Sequence, residues 1–263
     1  MSDQPLFSLR NRWFTASVGI TVVLAVVSAL AGLVILPLAQ PDLKLSGIWD
    51  AICSAAGVPR ASPDTIAQQP DGKLSNVVMT ADTLSRGDSV SIGRGATLAQ
   101  RCAICHGPQG VSDANSPNLA GQFAEVTYKE LNDFKTGARV NAVMSPFALT
   151  MTDRDMRDLA AYYAYLPRVP SPHVDAKLVA PLIVTIGAPM RNIAPCGSCH
   201  GDIDTKPGSP WLGGQSAVYI KAQLQAFASG SRRNDISQQM RNIARNMTAE
   251  EIDQAARYYE AQP

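Results

Sequence analysis

The pattern Cys-x-x-Cys-His occurs twice in this sequence, and it constrains the fold more than any other feature. Two thiols at this spacing can form thioether bonds to the two vinyl groups of one haem, and the next imidazole can bind the iron. The two copies use four of the five cysteines and two of the three histidines. The sequence therefore predicts two covalently bound haem c groups. The residues concerned are Cys102, Cys105 and His106, followed by Cys196, Cys199 and His200.

Two other kinds of site use paired cysteines, a zinc site and a thioredoxin-like redox site, and the sequence favours neither. A zinc site would need both pairs to converge with further ligands, but histidine is almost exhausted by the two motifs. A thioredoxin-like redox pair would need a strand-helix-strand context, and no strand alternation surrounds either pair. Haem attachment is the favoured interpretation, and it requires that the chain be exported from the bacterial cytoplasm.

The surroundings of the two motifs also repeat, with an offset of 94 residues at the first cysteine. The loop Pro117–Gln122 matches Pro210–Gln215, and Tyr162-Tyr163 matches Tyr258-Tyr259 near the end of a helical pattern. A repeat of this length indicates a duplicated domain rather than a solenoid unit. We expect an all-α fold with two tandem haem domains. Pro189 precedes the second motif and predicts a shorter or broken leading helix there.

An uncharged stretch of 27 residues runs from Trp13 to Ala39. About 20 apolar residues are enough to cross a bilayer, and a secretory apolar region is only about 7–15 residues long. The stretch therefore favours an uncleaved transmembrane anchor, and Arg10 and Arg12 place the N-terminus in the cytoplasm. A signal peptide cleaved near residues 28–31 or 37–39 is the alternative.

The region between this stretch and the first motif is interpreted as a periplasmic tether. It contains a possible amphipathic helix at residues 42–58, a polar linker at 59–72, and Cys53, which has no histidine at attachment spacing. The predicted organisation is a cytoplasmic N-terminus (1–12), a transmembrane anchor (13–39), a tether (40–88), haem domain 1 (89–168), a linker (169–189) and haem domain 2 (190–263).

Each iron needs a sixth ligand, and only His173 remains outside the motifs, so methionine is the natural candidate. Met144 and Met151 in the first half align with Met240 and Met247 in the second. Met151 and Met247 each precede a helix-capping threonine, where an apolar residue packs on the helix that follows. The pattern therefore favours Met144 and Met240, placed in loops that fold over the open haem face, with Met151 and Met247 as alternatives.

With these motifs, the Pro-x-Leu-x-Gly-Gln loops and the late methionines, residues 89–263 resemble dihaem class I cytochromes c of the cytochrome c4 type. The resemblance implies two all-α haem domains related by a pseudo-two-fold axis and His/Met ligation of both irons. It also implies that the carbonyl groups of Pro117 and Pro210 accept hydrogen bonds from the proximal histidines. Such a bond fixes the orientation and basicity of the imidazole.

Electron transfer is the expected function, because irons with both axial positions filled leave no site for a substrate. We expect redox partners such as a terminal oxidase, a quinol–cytochrome c reductase or a dehydrogenase, at the periplasmic side of the inner membrane. The formal charge of +1 argues against nucleic-acid binding. The alternative is a dihaem peroxidase or small-molecule oxidase with one exchangeable ligand. Such an enzyme needs an acid or base beside the open haem face, and residues 141–150 contain no His, Glu or Asp.

Overall fold

The computed structural model describes residues 7–31, 73–84, 87–113, 116–168, 173–175, 177–201 and 206–262. The chain divides into two units, residues 1–60 and residues 61–263. The C-terminal part of the predicted anchor (32–39), the possible amphipathic helix at 42–58, Cys53 and the linker at 59–72 lie outside the described residues.

The prediction of an all-α fold is confirmed, because the described residues contain helices and one isolated β-bridge between Ala188 and Ile193 but no strand. Their α-helices are α1 (Arg12–Leu30), α2 (Ser89–Ala99), α3 (Ala103–His106), α4 (Ala124–Thr136), α5 (Met144–Leu149), α6 (Asp153–Tyr165), α7 (Leu182–Thr185), α8 (Gly197–His200), α9 (Ala217–Ser229), α10 (Gln239–Asn246) and α11 (Ala249–Glu260).

Helix α1 is the only described helix of the first unit. It begins after Asn11, whose side chain accepts hydrogen bonds from the backbone N–H groups of Trp13 and Phe14. Its 19 residues have a mean hydropathy of 2.1 and span about 28 Å, close to the thickness of a bilayer core. By length and composition this helix can cross a membrane, and a signal sequence would pass the same test.

The first haem domain is built on the crossing of α2 and α6 at Gly95. A Cβ atom on Gly95 would lie 2.0 Å from the carbonyl oxygen of Asp158 and 2.6 Å from the Cβ of Tyr162. Only glycine therefore lets the two backbones approach this closely. The carboxylate of Asp158 ties the helices together by binding Ser91 and Arg94 of α2.

The second haem domain has no long leading helix. The short α7 and a 3-10 turn at Pro189–Arg191 stand where the first domain has α2, so the predicted shortening is confirmed. Ile183, Val184 and Ile193 from this segment are buried in a core with residues of α9, α10 and α11. Apolar side chains from a short segment thus replace a helix crossing.

The last helix of each domain begins with the predicted capping box. The hydroxyl of Thr152 accepts from the N–H of Asp155, whose carboxylate accepts from the N–H of Thr152. Thr248 and Glu251 make the same reciprocal pair at the start of α11. Each box satisfies donors at a helix start that would otherwise lack partners.

The prediction that Met144 and Met240 lie in loops is wrong. Met144 begins α5, and Met240 is the second residue of α10. Pro146 occupies the first turn of α5, where its missing N–H costs no helical hydrogen bond.

A cluster of charged and amide side chains joins the two haem domains. Glu130 of α4 forms ion pairs with Arg139 (2.5 Å) of its own domain and with Arg232 (3.0 Å) of the other. Asn234 of the second domain also binds two residues of the first. Its side-chain amide donates to Asp133 (2.8 Å), and its backbone carbonyl accepts from Lys129 (2.7 Å). Asn234 and Asp133 are fully buried, so the two domains share one continuous polar interior.

Part of the segment predicted as tether packs on this interface. Ser75, Val77 and Met79 are half-buried while their neighbours are exposed, which is the alternation of an extended segment lying on a surface. The hydroxyl of Ser75 donates to Asp133 (2.6 Å). The methyl group of Met79 lies 3.0 Å from the position of a Cβ atom on Gly208, in the second domain. Residues 73–84 therefore contact both domains.

The helix crossing predicts opposite effects for two glycines of α2. Gly95→Ala should destabilise the protein by about 1–3 kcal/mol, because the new methyl group overlaps the backbone of α6. Gly93→Ala is the matched control: a Cβ there meets nothing within 4 Å, so the better helix former should stabilise by about 0.5–1 kcal/mol. Chemical denaturation of the holoprotein measures both changes, and equal effects would contradict the crossing.

The charge cluster predicts that Glu130→Gln destabilises the protein by about 1–3 kcal/mol, because Arg139 and Arg232 lose their partly buried partner. Burial by itself would raise the pKa of Glu130, but Arg232, Arg139 and Lys129 outweigh it and lower that pKa far below its ordinary value of 4.5. The carboxylate therefore stabilises the fold fully above pH 4.5, and this stabilisation is lost as the pH falls toward the lowered pKa.

The measurement is the unfolding free energy of the wild type and of Glu130→Gln between pH 3 and pH 8. We expect a constant difference above about pH 5 that shrinks at lower pH. Glu125→Gln, on the same helix but outside the cluster, serves as the control. A difference that grew on acidification would contradict the sign of the pKa shift.

Candidate haem sites

Each Cys-x-x-Cys-His motif folds as a single helical turn that presents its histidine to a loop about ten residues later. In the first domain α3 ends at His106, which is 6 % exposed. The Nδ1 atom of His106 lies 2.8 Å from the carbonyl oxygen of Pro117. Because a carbonyl can only accept, Nδ1 carries the proton and Nε2 keeps its lone pair for a metal.

The second domain reproduces this arrangement. Helix α8 ends at His200, and its Nδ1 atom lies 2.8 Å from the carbonyl oxygen of Pro210. Burial lowers the pKa of both histidines, and the hydrogen bond to each proline carbonyl only partly opposes this effect. Both imidazoles are therefore neutral at pH 7, the form that binds iron.

The repeated Gly-Gln pair shapes the loops that carry these prolines. Residues 119–122 form a turn in which the N–H of Gln122 donates to Leu119 (3.2 Å), with Gly121 at a φ of 68°. Residues 212–215 form the same turn, with Gly214 at a φ of 71°. A positive φ at the third turn position favours glycine, which explains why the sequence repeats it.

Before a haem is attached, the four motif cysteines carry thiol groups that form no disulfide bond. Burial raises the pKa of the Cys102 thiol, which is hydrogen-bonded to Tyr163, and raises that of Cys196 to about 11. Both thiols therefore stay protonated and uncharged at neutral pH. Each lies at the edge of its domain core, where an apolar ring attached to it would be shielded from water.

The structure sorts the methionines by their surroundings. Met144 packs against the first core, Met240 and Met247 pack against the second, and all three are only partly buried. Met151 is 2 % exposed and is itself a member of the first core. His173 lies in an exposed turn.

Two buried polar atoms indicate that a further group belongs in the second domain. Arg241, next to Met240, is 2 % exposed and donates from Nε to Asp235 (2.6 Å). Its Nη2 atom and the hydroxyl of Tyr259 have no hydrogen-bond partner within the described chain. A buried cationic donor without an acceptor fits the carboxylates of haem. The donor set and this unpaired nitrogen are compatible with haem c.

The described parts of the chain contain no group of three or more His, Cys, Asp or Glu side chains placed to hold a metal ion. The two cysteine pairs therefore do not converge there on a zinc-type site.

The sequence analysis missed the role of Gln122 and Gln215, although it noted their loops as repeated. Gln122 accepts from the N–H of Trp211 (2.9 Å) and donates to its carbonyl (3.0 Å). Gln215 accepts from the N–H of Asn118 (2.9 Å) and donates to its carbonyl (2.7 Å). The two loops thus bind each other reciprocally across the domain interface. We call these four hydrogen bonds the loop pair.

Comparison with known proteins agrees with this geometry. Residues 92–166 match the profile of the family described as Cytochrome c. The chain is 38 % identical over 169 residues to the thiosulfate dehydrogenase electron acceptor of Stutzerimonas stutzeri (strain A1501), covering 61 % of this chain and 78 % of that protein. It is 37 % identical over 164 residues to cytochrome c4 of Thiocapsa roseopersicina, covering 60 % and 84 %.

A solved structure extends the likeness to both haem domains. The crystal structure of reduced recombinant cytochrome c4 from Pseudomonas stutzeri superposes with a TM-score of 0.59 at 29 % sequence identity. The match covers 67 % of this chain and all of that one. The two motifs, the paired loops and these relatives together show that the chain belongs to the cytochrome c4 family, dihaem electron carriers with covalently bound haem c.

Proposed function

We propose that this cytochrome collects electrons from a periplasmic dehydrogenase and delivers them to a terminal oxidase while it remains attached to the inner membrane. The loop pair is the observation that carries the proposal. It joins the two loops whose proline carbonyls bind the proximal histidines, so the two haem sites are connected directly across the domain interface. Two sites fixed in this way suit a protein that receives electrons at one end and releases them at the other.

The proposed ligand set follows the repeat. Met144 and Met240 are favoured because they align in the repeat, each eight residues before the threonine that caps the next helix, and each is only partly buried against its core. Met151, in contrast, fills the first core. Bound haem c supplies reversible one-electron exchange between ferric and ferrous iron. The thioether-forming residues are Cys102, Cys105, Cys196 and Cys199, and the axial ligands are His106 with Met144 and His200 with Met240.

Residues of the protein orient the iron ligands and set the environment of each haem. Pro117 and Pro210 orient the proximal imidazoles through their carbonyl groups, and the first cysteine of each motif packs against its domain core. Methionine ligation raises the reduction potential relative to a second histidine. A protein with two such sites suits the delivery of electrons to an oxidase.

The choice of a dehydrogenase as donor rests on the relatives. Two of them, from Stutzerimonas stutzeri and Thiomonas intermedia, are named thiosulfate dehydrogenase electron acceptors. We therefore propose thiosulfate dehydrogenase as the donor and place a quinol–cytochrome c reductase second. The membrane attachment rests on α1, and a tether there would keep the haem domains near a membrane-bound acceptor.

The ligand assignment predicts separate losses for the two methionines. Met144→Ala or Met240→Ala should each remove half of the weak far-red absorption band of Met-ligated ferric haem. The potential of the affected site should fall by on the order of 0.1–0.3 V, within the ~0.8 V that axial ligands span. Met151→Leu and Met247→Leu are the controls and should keep the full band. Loss of the band in either control instead would reassign the ligand.

The donor assignment predicts that thiosulfate and a purified thiosulfate dehydrogenase reduce both haems of the oxidised protein in a stopped-flow experiment. Because the net charge is near zero, we expect the reduction rate to depend only weakly on salt concentration. Any decrease at high salt would come from local charge patches that steer docking. A bovine serum albumin control replaces the dehydrogenase. Reduction by quinol and a quinol–cytochrome c reductase, without reduction by the dehydrogenase, would overturn the choice of donor.

The anchor predicts that the protein stays in the membrane fraction after washing with high salt and alkaline carbonate, and that its intact mass includes residues 13–31. A variant in which residues 1–40 are replaced by a cleavable signal peptide should be soluble and still carry two haems. A soluble wild-type protein whose mass lacks residues 1–31 would show that the segment is a signal peptide.

A further inference from the structure

We propose that each haem potential is tuned by a glutamine of the opposite domain, acting through the peptide group that binds the proximal histidine. The inference rests on the axial-ligand assignment proposed above. Gln215 of the second domain acts on the first haem, and Gln122 of the first domain acts on the second haem. Each effect on the potential therefore crosses the domain interface.

The peptide group between Pro117 and Asn118 makes hydrogen bonds to both domains. Its carbonyl oxygen accepts from Nδ1 of His106 at 2.8 Å. Its N–H group donates to Oε1 of Gln215 at 2.9 Å. One planar peptide unit therefore connects a proximal histidine of the first domain with a side chain of the second.

The peptide group between Pro210 and Trp211 has the same two bonds. Its carbonyl accepts from Nδ1 of His200 at 2.8 Å, and its N–H donates to Oε1 of Gln122 at 2.9 Å. The second glutamine lies in the first domain, so the connections are reciprocal. Gln122 is 8 % exposed and Gln215 is 5 % exposed, which keeps competing water away from both.

Hydrogen bonds in such a chain polarise one another. An acceptor on the N–H side of an amide makes the carbonyl oxygen more negative and strengthens the bond that it accepts, by roughly 10–30 % per bond. A stronger bond at Nδ1 makes the imidazole a more basic ligand. A more basic ligand stabilises ferric over ferrous iron, so each glutamine lowers the potential of the haem in the other domain.

A merely structural role for these glutamines predicts a different result. Gln122 belongs to the same loop as Pro117, and the N–H of Gln122 donates to Leu119. If its substitution only distorted this loop, the first haem would be affected. If it only loosened the domain interface, both haems would change together. The crossed pattern is therefore specific to the peptide connection.

The test measures both midpoint potentials of the detergent-solubilised holoprotein in Gln215→Ala and Gln122→Ala. The waves are assigned to domains with Met144→Ala and Met240→Ala. Gln215→Ala should shift the ferric–ferrous equilibrium of the first haem about threefold toward ferrous, a rise of about 28 mV at 59 mV per tenfold change. The second haem should stay unchanged. Gln122→Ala should raise the potential of the second haem only.

Two further measurements control for interface damage. Tyr219→Phe removes the hydroxyl that accepts from Arg139 across the same interface (3.1 Å) but leaves the loop pair intact, so neither potential should shift. In the proton NMR spectrum of the ferrous wild type, the Nδ1–H resonances of His106 and His200 report their hydrogen bonds directly. Gln215→Ala should move the His106 signal upfield, and Gln122→Ala the His200 signal.

If an alanine variant fails to fold, Gln215→Glu and Gln122→Glu keep the length of the side chain and supply a stronger acceptor, while they lose the bond that the amide donates to the carbonyl of Asn118 or Trp211. Each should lower the potential of the haem in the opposite domain more than that of its own. A shift confined to the haem of the same domain, equal shifts of both haems, or no shift would overturn the inference. A wild type without two Met-ligated haems would instead overturn the ligand assignment.

Discussion

The hydrogen bond from each proximal histidine to a proline carbonyl is the interaction on which the rest of this structure depends. It sets the tautomer of His106 and of His200, and it requires a loop to return to the end of a one-turn helix. That loop needs a glycine with a positive φ, which turns the next residue, a glutamine, toward the other domain. Ligand orientation and domain association thus arise from the same loop in each half, residues 117–122 and 210–215.

The two halves use one plan but stabilise it differently. The first domain relies on a close helix crossing at Gly95, whereas the second fills the equivalent space with Ile183, Val184 and Ile193. The polar cluster around Glu130 then joins them, with residues 73–84 lying along the seam. Such a buried network is rigid when each member is paired, which suits sites that exchange electrons at a fixed separation.

The haem attachment sites and the starts of the last helices could be predicted from the sequence, because each depends on a motif of a few neighbouring residues. The capping threonines Thr152 and Thr248 predicted where the last helix of each domain begins. The Cys-x-x-Cys-His spacing predicted a haem-binding histidine directly after each cysteine pair. The placement of Met144 and Met240 in loops was wrong. Pro146 lies in the first turn of its helix, where proline is tolerated, and the helix that contains Met240 is only eight residues long. The partners that Gln122, Gln215 and Glu130 have in the other domain lie more than 80 residues away, beyond the reach of local patterns.

The sequence by itself determined the haem chemistry, the duplication and the apolar N-terminal segment, because each depends on residue types at short fixed spacings. Only the tertiary structure decided how the duplicated halves meet. An amide side chain can bind any exposed peptide group, and its partner is selected by the packing of the whole interface. For that reason a glutamine that looked like part of a turn became the link from one domain to the histidine of the other.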